Sequence, residues 1–176
     1  MGDSLEMSKN WVEFSFALTF EDMSPDALVQ LAEEIAIKAH AGQFRRGGVI
    51  PYIEHPKAVA KRVLGDPEAQ VVAWLHDVIE DTEETEESLR ASGIPSHLVD
   101  AIVSMTKTSE TTYEDYLDRI AASPLVTKVK IADMISNLAD NPSTKQIRKY
   151  AKGLLRLTLE RKANQTMQAT AATPGS

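Results

Sequence analysis

Apolar side chains recur every three to four residues along most of the chain, which is the spacing of one face of an α-helix. The first such segment begins at Pro25, and Gly42 suits its C-terminal end. Its apolar positions are Leu28, Leu31, Ala32, Ile35 and Ala39. A second helix is predicted from Pro56, and later ones over 67–81, 85–91, 95–106, 113–122, 124–140 and 144–163. The pattern therefore predicts an all-α fold, a compact domain of several helices.

Several of the predicted helices begin at a capping residue that is followed by proline. Proline is tolerated at the first helical position because its missing N–H would have no partner there. The junctions are Ser24-Pro25, His55-Pro56, Asp66-Pro67 and Ser123-Pro124, and Asn141-Pro142 separates two later helices. Between the first two helices, paired glycines and a proline predict an irregular loop that carries Arg45 and Arg46.

The helical pattern covers residues 25–163, which we expect to form one domain. Before it, an extension over 1–24 carries aromatic residues that suit either a short extended piece or a helical turn. After it, residues 164–176 are small, polar and aperiodic, so we expect a disordered tail.

Composition limits the chemistry and the partners. The chain has no cysteine, so nitrogen and oxygen atoms must hold any metal. A net charge of -7 argues against a nucleic-acid polymer as a partner. The longest apolar stretches fall far short of the roughly 20 residues of a membrane span, so we expect no membrane partner and a cytoplasmic location. Local cation clusters such as Arg45-Arg46 either bind a small anion or lie on solvated faces.

The predicted helix over 67–81 carries one polar stripe on an otherwise apolar surface. The stripe consists of His76, Asp77, Glu80 and Asp81. Three carboxylates beside a core are costly unless a cation neutralises them, which favours a metal ion. The alternative is a solvated helix end with a hydrogen-bonded core histidine at position 76.

Two other positions can complete a metal site. His55 stands at the start of a predicted helix, and Asp133 is an acid among the apolar residues of another. Asn137 lies one turn beyond Asp133 on the same face, where it can hydrogen-bond a ligand beside the metal. A capping or core-network role for Asp133 is the alternative.

Two histidines and two aspartates suit Mn, Fe, Co or Zn better than Mg or Ca, and manganese is the first choice. Such an ion orients a phosphoryl oxygen and lowers the pKa of bound water. Glu80 is then placed to receive a proton from that water or to position it, with support from Asp81.

Together, His55, His76, Asp77 and Asp133 form an H…HD…D pattern that resembles the HD phosphohydrolase superfamily. The strings AHAGQFRR, PYIEHP, AWLHDVIEDT and VKIADMISNL resemble, in order, those of the hydrolase domain of RelA/SpoT proteins and of stand-alone small alarmone hydrolases. The resemblance covers roughly residues 25 to 160.

The resemblance implies an all-helical HD-domain fold with one Mn²⁺ ion. It also implies a small-molecule nucleotide substrate, guanosine tetra- or pentaphosphate (ppGpp or pppGpp), from which the 3′-pyrophosphate is removed to give GDP or GTP. His55, His76, Asp77 and Asp133 match the family's metal ligands, and Glu80 and Asp81 match its hydrolysis pair. The matches to its substrate-binding positions are Arg45, Arg46, Tyr52, Ile53 and Asn137. Hydrolysis without synthesis is the expected activity, because no synthetase segment follows.

The chain departs from the family at two positions that we expect on the substrate side. Met134 stands where a basic residue is common, and Arg46 stands where lysine is common. Another HD-type nucleotide phosphohydrolase, such as a nucleoside 5′-monophosphatase, is therefore the alternative function. A catalytically silent nucleotide-binding sensor is a further one, although all six metal-ligand and hydrolysis positions are present.

Overall fold

The computed structural model describes residues 23–45 and 47–171, with side chains through position 159. These residues form nine helices joined by short loops. The helices are α1 (Pro25–Ala39), α2 (Glu54–Arg62), α3 (Pro67–Leu75), α4 (Val78–Asp81), α5 (Glu86–Ala91), α6 (Ser96–Met105), α7 (Tyr113–Ala121), α8 (Pro124–Leu138) and α9 (Thr144–Ala171). The predicted all-α fold is confirmed.

Helix α3 lies at the centre of the domain and packs against α1, α2, α6 and α8. Six of its nine residues are buried. They are Ala69, Val71, Val72, Ala73, Trp74 and Leu75. Because a helix that is apolar on all sides must be enclosed by other elements, α3 organises the core from which the site projects.

The predicted capping residues mostly hold. Ser24, Asp66 and Ser123 each accept a hydrogen bond from a backbone N–H in the first turn of the helix that follows. The helix predicted from Pro56 begins earlier, at Glu54, so His55 lies inside its first turn and not before it. Proline is tolerated there because the first backbone N–H groups of a helix lack an intrahelical partner.

The predicted continuous helix over 67–81 is interrupted. Helix α3 ends at Leu75, and the four-residue helix α4 begins at Val78, so that His76 and Asp77 form the junction. The ring Nδ1 of His76 lies 2.8 Å from the carbonyl oxygen of Ala73, one of the last carbonyls of α3. The side chain thus satisfies a helix-end carbonyl.

The last helix runs to Ala171, eight positions beyond the predicted end at 163. Between Gly153 and Pro174 the sequence has neither glycine nor proline, so no residue there interrupts a helix. The predicted tail over 164–176 therefore overlaps a helix through 171. Residues 172–176, like residues 1–22 of the predicted extension, lie outside the described residues.

Helix α9 packs across α7 and α8 and is joined to α7 by ion pairs. Arg156 pairs with Glu114 and Asp118, and Lys152 also reaches Glu114. Among the helices that the structure describes, none combines the length and the apolar character needed to cross a membrane.

Candidate metal centre and its pocket

His55 reaches the centre of the domain from the first turn of α2. Its side chain is only 4% exposed. The ring Nε2 lies 3.1 Å from Asp133 Oδ1 and 3.5 Å from Asp77 Oδ2. One imidazole therefore faces a carboxylate from α8 and another from the junction between α3 and α4.

The two ring nitrogens of the second imidazole, His76, have different surroundings. A carbonyl oxygen can only accept a hydrogen bond, so the contact with Ala73 requires the hydrogen on Nδ1. The buried Nε2 has no hydrogen-bond partner. It lies 3.1 Å from Asp77 Oδ2 and 3.7 Å from Asp133 Oδ1. A buried ring nitrogen that faces two carboxylates, with the ring fixed by a backbone acceptor, is the usual arrangement of a metal-binding histidine.

The spacing of these atoms fits a single ion. His55, His76 and Asp77 each offer one ligand atom, and the three atoms lie within 4.8 Å of one another. Two ligands about 2.1 Å from one metal, at tetrahedral or right angles, stand roughly 3.0 to 3.4 Å apart. The nitrogen-to-oxygen distances of 3.1 to 3.7 Å are close to that range. The group can therefore hold a metal ion.

Asp133 is placed to add a fourth ligand, because other protein groups fix both of its oxygens. Oδ2 pairs with Lys130 Nζ at 2.8 Å. Oδ1, which faces the histidines, accepts a hydrogen bond of 2.6 Å from Asn137 Nδ2. The predicted neighbour of Asp133 is thus in contact with it, and its amide also lies on the pocket wall.

Opposite charges hold this cluster together. Burial opposes protonation of His76, but Asp77 and Asp133 outweigh burial and raise its pKa to about 10. Burial also opposes ionisation of Asp133, yet Lys130 and the two histidines keep the pKa of this carboxyl well below its usual value. Asp77 likewise has a lowered pKa, since the contact with His76 overcomes the effect of burial. Both carboxylates are therefore ionised. A metal ion bound here would displace the proton that His76 Nε2 carries in its absence.

Tyr52 reaches the same cluster from the loop before α2. Its hydroxyl lies 2.8 Å from Asp77 Oδ2 and 2.7 Å from Asp81 Oδ2. Burial, followed by the charges of Asp77 and Asp81, raises the pKa of this phenol far above its usual value. The hydroxyl therefore keeps its hydrogen and acts as a donor.

Glu80 and Asp81 lie at the rim of a cavity of about 210 Å³ that opens onto the cluster. Because the helix breaks before them, they belong to α4 and not to the stripe predicted for a longer helix. Glu80 Oε2 accepts a hydrogen bond from the backbone N–H of Lys107 at 3.0 Å. Two exposed carboxylates thus stand beside the candidate metal centre.

One wall of this cavity is basic and aromatic, a combination that the sequence did not indicate. Lys107, Lys130 and Lys149 line it together with Tyr113, Tyr116 and Tyr150. Burial and the two other lysines lower the pKa of Lys149. Lysines that repel one another beside a metal centre provide a site for a polyanion. The sequence does not predict that these lysines converge, because Lys107 lies in a loop, Lys130 in α8 and Lys149 in α9.

Arg45, in the loop between α1 and α2, approaches the site near the end of α8. Arg45 pairs with Asp140 at 2.7 Å, and its guanidinium lies 3.4 Å from Asn137 Oδ1. Arg45 also lines a neighbouring cavity of about 250 Å³. Ile53 packs against the core, and Arg46 lies outside the described residues.

The expectation that Met134 lies on the substrate side is wrong. Its side chain is fully buried and faces α9, where it contacts the backbone position of Gly153. It follows Asp133 by one residue, so it points about 100° away from the pocket around α8. A methionine in place of a basic residue therefore changes the core of this chain, and not the wall of the cavity.

Sequence comparison shows which known proteins the chain resembles. No protein-family model matches the chain. It is 36% identical over 137 residues to a probable GTP pyrophosphokinase of Mycobacterium leprae, a match that covers 70% of the chain. It is 38% identical over 117 residues, or 59% of the chain, to a guanosine-3′,5′-bis(diphosphate) 3′-pyrophosphohydrolase of Haemophilus influenzae. The matches span 17% of the length of each of these curated relatives.

Structural comparison gives a relative of similar size. A metazoan SpoT ortholog, reported to hydrolyse ppGpp and to play a role in starvation responses, superposes with a TM-score of 0.64. The match covers 86% of this chain and 99% of that chain at 20% identity. The domain is RelA/SpoT hydrolase-like. The expected resemblance is confirmed, and the hydrolase-like domain shares its helical fold with that ortholog.

Proposed function

We propose that the chain is a metal-dependent pyrophosphohydrolase that removes the 3′-pyrophosphate from guanosine 3′,5′-polyphosphates, giving GDP or GTP and pyrophosphate. The observation that carries the proposal is the convergence of donor atoms from His55, His76 and Asp77, with Asp133 Oδ1 3.1 Å from His55. They lie at a cavity that lysines also line. The relatives' names and the shared fold support the same activity. A cytoplasmic location stays a prediction.

In this proposal the two histidines and two aspartates hold one Mn²⁺ ion, for which a mixed nitrogen and oxygen ligand set is suited. When bound, the ion supplies an activated water and neutralises charge on a phosphoryl oxygen. The position of His76 Nε2 supports this assignment, because this buried nitrogen has no hydrogen-bond partner and faces two carboxylates that could share an ion with it.

The chain's own residues supply the proton transfer. Water adds to the phosphorus that is bonded to the ribose 3′ oxygen, and this P–O bond breaks. We assign to Glu80 the proton that the water loses, because its exposed carboxylate stands at the cavity rim. Asp81 supports the same step. The proton finally passes to the 3′ oxygen, which leaves as a hydroxyl.

The remaining groups bind the nucleotide. The wall formed by Lys107, Lys130 and Lys149 provides positive charge for phosphates beside the metal centre, where Lys130 also pairs with Asp133. Arg45 and Asn137 approach from the loop side, where Arg45 is held by Asp140. We assign the nucleoside and its adjacent phosphate to this side, together with Arg46, Tyr52 and Ile53, as the family resemblance predicts.

Two variants test the assignment. Asp77→Asn should abolish both Mn²⁺ binding, measured by titration calorimetry, and pyrophosphate release, because it removes a charged ligand. Activity that survives with metal still bound would contradict the coordination. Arg45→Ala should reduce kcat/KM for the 3′-pyrophosphate substrate by about tenfold or more, the scale of a lost charge-assisted hydrogen bond. Lys61→Ala, which removes an exposed cation of α2 away from the cavities, is the matched control.

A nucleoside 5′-monophosphatase would use the same metal without needing a cationic wall for several phosphates. Under that alternative, Arg45→Ala and Lys149→Ala would leave turnover of a monophosphate unchanged. Loss of turnover only for polyphosphate substrates supports the proposed function.

A further inference from the structure

One hydroxyl connects the metal centre to the hydrolysis pair. The Oη of Tyr52 lies within hydrogen-bond distance of both Asp77 Oδ2, the oxygen that faces the histidines, and Asp81 Oδ2. A hydroxyl has a single hydrogen, so it donates to one carboxylate at a time. The positions of the two carboxylates are therefore coupled through one atom.

The tyrosine ring is itself fixed in place. It stacks on the ring of His40, with centroids 4.7 Å apart, and meets His55 edge-on at 6.1 Å. His40 is buried and lies 2.9 Å from Gln43 Oε1 through its Nδ1. Gln43 in turn donates a hydrogen bond of 2.8 Å to the backbone oxygen of Asp81. The end of α1 thus holds both the tyrosine ring and the backbone of α4.

The backbone of the loop adds to this. The N–H of Tyr52 donates to the carbonyl of Gln43 at 2.9 Å, and Phe44 and Pro51 form an antiparallel bridge beside it. A side chain with its backbone paired, its ring stacked and its hydroxyl between two carboxylates has little freedom. A group held this rigidly can fix the positions of the side chains that it contacts, and it can also contact a ligand.

We propose that Tyr52 is a positioning residue that sets the orientation of metal ligand Asp77 and hydrolytic Asp81 relative to each other. The inference rests on the proposed function, since it concerns the same centre. A role limited to contact with the nucleotide base, as the family resemblance implies for this position, would need the ring and not this hydroxyl.

Tyr52→Phe separates these roles, because it removes the hydroxyl and keeps the stacked ring. Mutation of a group that orients a metal ligand usually lowers metal affinity or activity by about 10- to 100-fold. We therefore expect Mn²⁺ affinity, titrated with the metal alone, to fall about tenfold, and kcat at saturating Mn²⁺ to fall by a similar factor with KM little changed. A raised KM with unchanged Mn²⁺ affinity and kcat would overturn the proposal.

A double-mutant cycle tests the link to Asp81. If Tyr52 acts through Asp81, Tyr52→Phe should reduce kcat much less in an Asp81→Asn background than in the native protein. Fully multiplicative effects would overturn the coupling.

Thr127→Val is the matched control for the loss of a buried hydroxyl. Thr127 is buried in α8 and donates to the carbonyl of Ile120 at 2.9 Å, away from the cavity. It should lower thermal stability but leave Mn²⁺ affinity within about twofold of the native value. An equal loss of affinity in both variants would assign the effect of Tyr52→Phe to packing and overturn the proposal.

If the native protein bound Mn²⁺ and released phosphate only from monophosphates, the proposed function would fail. The metal titration of Tyr52→Phe would still decide the positioning role, because it uses no nucleotide. The two failures are therefore distinguishable.

Discussion

Replacing Lys130 by methionine should destabilise the domain strongly, and more so without metal. The Lys130 ammonium is paired with Asp133 at 2.8 Å and lies 5.2 Å from the centre of the Tyr116 ring. Burial opposes the charged form of Lys130, but Asp133 and Tyr116 raise its pKa well above the usual value. Methionine fills a similar volume and removes this ammonium, so that only the two histidines and Asn137 still face the buried Asp133 carboxylate.

The magnitude follows from burial. Removing one partner of a buried ion pair costs about 3 to 5 kcal/mol, because the remaining charge is not compensated. The side chain of Lys130 is 15% exposed and that of Asp133 is 5% exposed, so we take the lower end, about 3 kcal/mol. For a chain of this length, about 3 kcal/mol corresponds to a fall in Tm of roughly 6 to 12 °C.

The same helix supplies a matched control. Lys128 is also paired with an aspartate, Asp66, at 2.6 Å, but its side chain is 39% exposed. An exposed pair contributes about 0 to 1 kcal/mol, so Lys128→Met should lower Tm by no more than about 4 °C. The two variants differ mainly in burial and in proximity to the metal centre.

Thermal unfolding should be followed for both variants with a chelator and with saturating Mn²⁺. A divalent ion compensates Asp133, so Mn²⁺ should narrow the difference in Tm between Lys130→Met and the native protein. Equal small decreases for the two variants in chelator would refute the importance of the buried pair. A difference that Mn²⁺ leaves unchanged would refute the contact of Asp133 with the ion.

Two further predictions concern the elements that hold the site. A Cβ added at Gly153 would lie 2.7 Å from Tyr113 Oη and 2.8 Å from Met134 Cε. Because this overpacking should outweigh the gain in helix propensity, Gly153→Ala should lower the free energy of unfolding by about 1 kcal/mol. Urea unfolding measures this change, and an increase in stability would contradict the packing. The hydrogen bond from Lys128 lowers the pKa of Asp66. This stabilisation is present above the pKa of an unfolded aspartate and is lost as pH falls through the lower folded value, so the small Tm deficit of Asp66→Asn should shrink between pH 7 and pH 3.

The sequence predicted the elements of the fold well, because its local patterns are clear. Proline after a capping residue located the starts of α1, α3 and α8, and apolar spacing located most other helices. It did not predict the break at His76, where the ring contacts the Ala73 carbonyl. A side-chain contact with a carbonyl at the end of the same helix leaves no periodic signal in the sequence.

The sequence also predicted the candidate metal ligands, because they too stand out in its local patterns. An acid at Asp133 in an apolar helix and a histidine at position 55 stand out against their neighbours, and the structure brings both to His76. The wall of Lys107 and Lys149 was not predicted, because exposed lysines are common and their convergence depends on how α9 crosses α8. The burial of Met134 was missed for the same reason.

Identification of the product released by the purified protein tests the central claim most directly. The native protein with Mn²⁺ would be incubated separately with guanosine 3′,5′-polyphosphates, the corresponding adenosine compounds and nucleoside 5′-monophosphates. We expect pyrophosphate and GDP or GTP from the guanosine 3′-pyrophosphates, and no release when Mn²⁺ is chelated. Release of phosphate from monophosphates alone, with the 3′-pyrophosphates left intact, would contradict it.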